Sequence, residues 1–217
     1  MTSQPPQAPN FIHVYPDVLP VERCREIIAR FEADDRRAAS LTDTGSSAKQ
    51  RSGTLLDLGR YPDWQDIAQE VNRACMGPVV HYAQHYGGLS GILRFEPVTL
   101  TFPLLERIDP GQGFNWHVDS GHAGNMDRIL ALLLYLQDVE DGGQTQFAHQ
   151  GAAVPPRAGA LAIFPPFWTH LHRGDTPASG AKYNLTNFLV FDHERYAGKT
   201  IGTRVDPASL PQPGTGR

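Results

Sequence analysis

From Ile92 onward the sequence is cut into short apolar or alternating segments: VTLTFPLLERI, ILALLLYL, QTQFA, ALAIFP and KYNLTNFLVF. Turn-forming runs part them, namely DPGQG, EDGGQ, PPRAG and PASG. Glycine reaches the left-handed conformations that a reversal requires, and proline presets the φ of its first corner. Several short strands at this spacing predict an all-β sandwich or jelly roll over residues of about 95–192.

The first 90 residues have a different period. FIHVYPDVL (11–19) reads as a strand closed by a turn at Pro20. VERCREIIARFEADD follows with Cys24, Ile27, Ile28 and Phe31 at helical spacing. RAASLTDTGSSAKQ (37–50) is small, polar and aperiodic, which predicts a flexible loop. Asp63 stands where it can cap a helix carrying Ile67, Val71, Ala74 and Val79 and reaching Tyr82. The expected fold is therefore α+β, mainly β, in a single domain over residues 1–217. Helices in 1–90 pack against the β core, residues 1–10 form a loose arm, and a polar tail over 193–217 docks loosely or frays.

Composition bounds the function. The 217 residues are 40% apolar and 19% charged with a net charge of −4, as in an ordinary soluble globular protein. That balance gives no electrostatic reason to expect a nucleic acid or an anionic membrane surface as partner. No apolar run is long enough to cross a bilayer, and MTSQPPQAPN has neither the basic nor the apolar part of a signal peptide. Cys24 and Cys75 form neither a CxxC nor a disulfide framework. A cytoplasmic location is expected.

The most informative stretch is GFNWHVDSGH (113–122). His117 and Asp119 form a His-x-Asp, and on a strand residues i and i+2 project to one face. An imidazole and a carboxylate would then converge. With a histidine from a distant strand they would make a two-histidine, one-carboxylate facial triad, the ligand set of non-haem Fe(II) oxygenases. Alone, His-x-Asp arises by chance and a surface pair explains it. THLHRGD (169–175) offers two further histidines, His170 and His172, which on a strand would share a face. Lys182 opens the last apolar strand, where burial would be costly unless an anion meets it. A dicarboxylate cosubstrate is a natural anion for that place.

Taken in order, these pieces resemble the Fe(II)- and 2-oxoglutarate-dependent dioxygenases of the prolyl 4-hydroxylase type. The matching motifs are His117-Val118-Asp119, then Tyr135-Leu136-Gln137, then GGQTQF (142–147), then His172 with Gly180-Ala181-Lys182. The opening PDVLPVERCREII is similar to the family's first strand and helix. The resemblance implies a double-stranded β-helix (jelly-roll) core. It implies Fe(II) on His117, Asp119 and His172, with 2-oxoglutarate and O2 as cosubstrates and ascorbate as a permitted accessory. The far carboxylate of 2-oxoglutarate would meet Lys182 and a hydrogen bond from Tyr135. The implied reaction oxidises an unactivated C–H bond, most simply by hydroxylation, and releases succinate and CO2. The substrate would be a small molecule, an amino acid or a peptidyl residue. Arg128 would face a substrate carboxylate, with a structural ion pair as the competing reading. Two departures stand out: the family's tyrosine about ten residues before His-x-Asp is missing from ERIDPGQGF, and Gln137 replaces an asparagine. A non-catalytic jelly-roll module that senses a metabolite or metal is the alternative class, and a zinc hydrolase leaves Lys182 without a purpose.

The remaining candidates read as structure. His81 and His85 lie four apart on a predicted helix and match a chelating pair, but without a third ligand nearby a solvated face explains them. His122 and His149 default to surface. Asn184 shares the strand face of Lys182 and is a candidate for the cosubstrate carboxylate. The RGD at 173–175 has no functional reading.

Overall fold

The computed structural model describes residues 10–40, 52–121 and 125–192, with the backbone of 202–204. A large sheet runs in the order β1 (His13–Tyr15), β10 (Leu161–Phe164), β7 (Arg128–Tyr135), β12 (Lys182–Phe191), β5 (Leu104–Ile108), β3 (Thr54–Asp57) and β2 (Ala38–Ala39). β4 (Val98–Thr101) also pairs with β12, and β13 (Gly202–Arg204) with β4. A smaller sheet follows the order β6 (Phe114–His117), β11 (His172–Gly174), β8 (Thr145–Phe147) and β9 (Ala152–Val154). The strand pairs are antiparallel, and the inner faces of the two sheets close a jelly roll.

Strand alternation divides the large sheet into two environments. On β7, Leu130, Leu132 and Leu134 point away from the roll into the main core, while Ala131 and Tyr135 point into it. On β12, Tyr183, Leu185 and Leu189 join the main core, while Phe188 and Val190 face inward. Both faces of these strands are covered, so ILALLLYL reads as one apolar run and not as an in–out alternation.

Two long helices cover the outer face. α1 (Val21–Glu32) buries Cys24, Ile27 and Phe31. α2 (Gln65–His85) buries Ile67, Val71, Cys75, Val79 and Tyr82 along one stripe. Each fully buried side chain of this size contributes roughly 1.5–3 kcal/mol. α2 continues through Pro78, whose ring cannot donate to the carbonyl one turn back. A hydrogen bond between neutral amides, Asn187 Nδ2 donating to Asn72 Oδ1 at 2.7 Å, ties β12 to α2 inside the core.

Several expectations need correcting. Asp63 does not cap α2. It sits in a 3-10 turn before the helix, where its carboxylate pairs with Arg36 at 2.7 Å. VTLTFPLLERI is two strands, split at Pro103, which has no N–H to give to a ladder. A third helix, α3 (Gly87–Phe95), carries the helical part past residue 90. The tail is not wholly peripheral, since residues 202–204 add a strand beside β4. The rest of the tail, the arm 1–9, most of the 37–50 loop and His122 lie outside the described residues.

The EDGGQ reversal shows why both glycines are needed. Gly142 and Gly143 have φ of +74° and +69°, and a Cβ on Gly142 would lie 2.3 Å from the Thr176 carbonyl oxygen. No L-residue with a side chain fits there.

Candidate metal centre

His117 closes β6 and His172 opens β11, and the two are paired directly across the ladder. A register shift on β11 between His172 and Gly174 marks a bulge at this point, a common way to re-aim a ligand beside a site. Asp119 arrives by a different route from the strand alternation expected. β6 ends at His117, and Asp119 lies in the bend beyond it. The Asp119 and Ser120 N–H groups both donate to the Pro166 carbonyl at 3.0 Å. The Asp119 carbonyl accepts from Asn125 Nδ2 at 2.7 Å and from Arg128 Nη1 at 2.8 Å. A braced turn aims the carboxylate.

The result is three donors within 4.8 Å of one another, the one such group among the described residues. Asp119 Oδ1 is 3.7 Å from His117 Nε2, and Asp119 Oδ2 is 3.4 Å from His172 Nε2. Backbone carbonyls set the tautomers. His117 Nδ1 lies 2.7 Å from the Asn115 oxygen, and His172 Nδ1 lies 2.9 Å from the His170 oxygen. A carbonyl can only accept, so each Nδ1 carries the proton and each Nε2 presents a lone pair. Burial pushes the His172 pKa down, against the opposing charge of Asp119, which favours the neutral, ligating form. Two imidazoles and a carboxylate, oriented in this way, fit a divalent transition metal.

The triad lines one end of a cavity of about 290 Å³ enclosed by both sheets. Lys182, Asn184, Thr186 and Phe188 of β12 enter it from alternate positions, with Leu104 and Glu106 of β5 beside them. Lys182 is 3% exposed, and burial lowers its pKa to about 8 against the pull of Asp175. Tyr135 is also buried, but it lies behind the wall. Its hydroxyl is 2.8 Å from Thr145 Oγ1, its ring centroid is 5.2 Å from the lysine nitrogen, and Thr145 is the residue that reaches the cavity.

Arg128 lines the opposite wall, with its guanidinium 3.8 Å over the Phe188 ring and one nitrogen on the Asp119 carbonyl. It braces the loop that carries Asp119, a contact that sequence reading missed. Asn184 donates to Glu106 Oε2 and to Thr186 Oγ1, both at 3.1 Å. Glu106 itself is 2% exposed and was not anticipated. The available signal was an acidic residue inside the buried strand LLERI, the same clue that singled out Lys182.

His170 does not share a strand face with His172. It ends a 3-10 turn (Trp168–His170), and its Nε2 donates to the Asn10 carbonyl, 3.0 Å away. Because that partner only accepts, Nε2 carries the proton, and His170 pins the N-terminal segment to the roll. It is absent from the cavity lining. Large apolar side chains stand exposed near the triad: Trp116 beside His117, and Phe167 and Trp168 after Pro166, whose carbonyl holds the Asp119 turn.

Comparison with known proteins agrees with this geometry. The 2OG-Fe(II) oxygenase superfamily pattern matches residues 103–190, which hold the whole triad and Lys182. A probable prolyl 4-hydroxylase 9 of Arabidopsis thaliana is 26% identical over 210 residues, covering 81% of this chain and 67% of the relative. A probable prolyl 4-hydroxylase 10 of the same plant is also 26% identical, covering 91% of this chain and 61% of its own length. Among solved structures, a Trichoplax adhaerens prolyl hydroxylase in complex with a peptide fragment of a hypoxia inducible factor oxygen degradation domain superposes with a TM-score of 0.67. Its identity is 15%, with 88% of each chain covered. Over residues 103–190 the chain thus resembles the 2OG-Fe(II) oxygenase superfamily, and the relatives it is similar to are probable prolyl 4-hydroxylases. The cofactors that this family implies are Fe(II), 2-oxoglutarate and O2.

Proposed function

We propose that the protein hydroxylates a C–H bond of a small molecule, an amino acid or a peptidyl residue, with release of succinate and CO2. The observation that carries this reading is a single cavity lined at one place by a His-Asp-His donor set and at another by a buried lysine.

In this reading His117 Nε2, His172 Nε2 and an Asp119 oxygen would hold Fe(II) at the wall of the cavity. The bound iron, with 2-oxoglutarate and O2, supplies the oxidising power that no side chain has. The chain's own residues bind and orient. Lys182 would take the far carboxylate of 2-oxoglutarate as an ion pair, which relieves an ammonium group that is otherwise buried at a cost. Thr145 would give a hydroxyl to the same carboxylate. Tyr135 would act through Thr145 by fixing the rotamer of that hydroxyl, in place of the direct contact expected from sequence. Arg128 would hold the Asp119 turn and face the substrate from the cavity wall. Apolar walls, including Phe164, Phe188 and Leu133, exclude water from the reacting centre.

The exposed Trp116, Phe167 and Trp168 support a substrate that extends beyond the cavity, as a peptide does. The test is substrate-dependent succinate release in a panel of peptides, amino acids and metabolites, with product mass read in parallel. Turnover that requires both Fe(II) and 2-oxoglutarate and adds one oxygen atom to the product supports the proposal. Binding of both without turnover on any substrate would favour the sensor module.

A further inference from the structure

We infer that His13, His81 and His85 form a second metal site, on the surface, for a divalent late transition-metal ion of the Zn²⁺ class. The sequence offered only the helical pair, with no third ligand in reach. The fold supplies one: β1 lies against α2, so that His13 faces both residues of the pair. The ring centroids of His13 and His81 are 5.5 Å apart, those of His13 and His85 5.6 Å, and those of His81 and His85 6.3 Å. Three imidazoles bound through Nε2 to one tetrahedral ion, at about 2.0–2.1 Å from metal to nitrogen, have centroids about 5.3 Å apart. The ring centroids are thus within about an ångström of the required spacing, on side chains from two separate elements, but their nitrogens do not converge as they stand and the rings must turn to bring them together. None of the three lines the cavity of the triad.

A partner that sets a tautomer is also present. His81 Nδ1 lies 3.0 Å from the Tyr15 hydroxyl. With the proton on Nδ1 donated to the tyrosine oxygen, His81 Nε2 is free to ligate, the arrangement common around bound metals. Tyr15 also stacks on His13, with centroids 4.4 Å apart and an angle of 21°. It holds two of the three rings, and burial keeps its own hydroxyl neutral to about pH 12. Both His81 and His85 are exposed, so a small rotation of χ1 or χ2 can bring their nitrogens together without disturbing the core. An all-imidazole set is borderline-soft and neutral. It selects Zn²⁺, Co²⁺, Ni²⁺ or Cu²⁺ over Mg²⁺ and Ca²⁺, and water completes the sphere. Binding would fasten β1, a three-residue edge strand, to the 21-residue α2.

The probe is Co²⁺, whose visible absorption distinguishes four- from six-coordinate ions and whose stoichiometry can be measured on the full chain. Wild-type protein is expected to load two equivalents, and His117→Ala one. His81→Ala and His85→Ala should each lose one equivalent with an unchanged far-ultraviolet circular dichroism spectrum. A double variant, His81→Asn with His85→Asn, guards against a rotamer replacing one ligand. Mg²⁺ should not compete. The inference is overturned if the His81 and His85 variants load as the wild type does, or if His117→Ala loads no ion. The result is independent of the oxygenase reading. Were the triad unable to bind metal, one equivalent would remain in the wild type and would still depend on His81 and His85.

Discussion

The two faces of β12 are made of alternate residues of one strand, and they follow opposite rules. The face toward the helices carries Tyr183, Leu185 and Leu189, and its polar exception, Asn187, is met by a neutral amide from α2. The face toward the roll carries Lys182, Asn184 and Thr186, with Glu106 of β5 beside them. An ion held out of water costs several kcal/mol even after relaxation, and a leucine in its place would cost nothing of the kind. The helix face is therefore organised for stability, and the cavity face, in the proposed function, for a charged ligand. Substitutions on the two faces should separate stability from binding.

The largest separation is expected at the triad. Asp119→Ala or His172→Ala should abolish most iron-dependent turnover, because each would remove one of the three proposed ligands. His170→Ala should retain iron binding. What it loses is the bond to the Asn10 carbonyl, about 1–3 kcal/mol measured by denaturant unfolding. If His170→Ala also abolished metal binding, the assignment of roles along THLHRGD would be wrong.

Next in size is the contrast within β12. Lys182→Met should weaken 2-oxoglutarate by roughly 100-fold, the value of a buried charge-assisted contact of about 3 kcal/mol. The same change should leave the ligand-free protein as stable as the wild type or more so. Three residues along and on the other face, Leu185→Ala should cost roughly 2–5 kcal/mol of stability through the lost contacts and the cavity left behind. Its affinity for 2-oxoglutarate, measured by calorimetry well below the melting temperature, should hardly move. Equal losses of stability and affinity in both variants would remove the distinction between the faces.

A smaller effect is expected at Arg128. Arg128→Lys keeps the charge but loses the planar fork that holds the Asp119 carbonyl while the ring of Phe188 lies beneath. About a 10-fold drop in kcat, with KM for 2-oxoglutarate unchanged, would mark a positioning role through the carboxylate ligand. A rise in KM for the prime substrate alone would mark the substrate-facing role instead.

Much of this was legible in one dimension because period and local chemistry were enough. The apolar runs of β7 and β12, the turn glycines, His117-x-Asp119 and the lone lysine entering a strand each carry their meaning within a few residues. What stayed hidden depends on long-range pairing. Asp119 reaches the triad through a turn held by Pro166, not by strand alternation. Tyr135 stands behind Thr145 because β8 of the other sheet brings Thr145 to its hydroxyl, which no spacing in YLQ or GGQTQF announces. His13 comes to His81 and His85 only because β1 pairs with β10 at the sheet edge and lies against α2. Glu106 was visible as an oddity in LLERI, but its direction follows from the register of β5 on β12.

The subtlest prediction concerns pH. The Lys182 pKa falls from 10.5 to about 8 on folding because burial disfavours the ammonium form. Between those values the unfolded chain binds a proton that the native protein does not. Stability rises with pH wherever the unfolded state holds more protons, so the ligand-free protein should gain stability from about pH 8 toward 10, by at most roughly 3 kcal/mol from this group. The affinity for 2-oxoglutarate should move the other way if, as proposed, its carboxylate pairs with the charged lysine, because that charge is lost above about pH 8. Melting temperature without ligand and affinity with it should thus diverge over the same window, each measured against Lys182→Met under the same buffers. The methionine variant has no titrating group there, so its difference from the wild type isolates Lys182 from every other ionisation. Leu185→Ala should shift the melting temperature by a constant amount across the window, because an apolar truncation carries no proton.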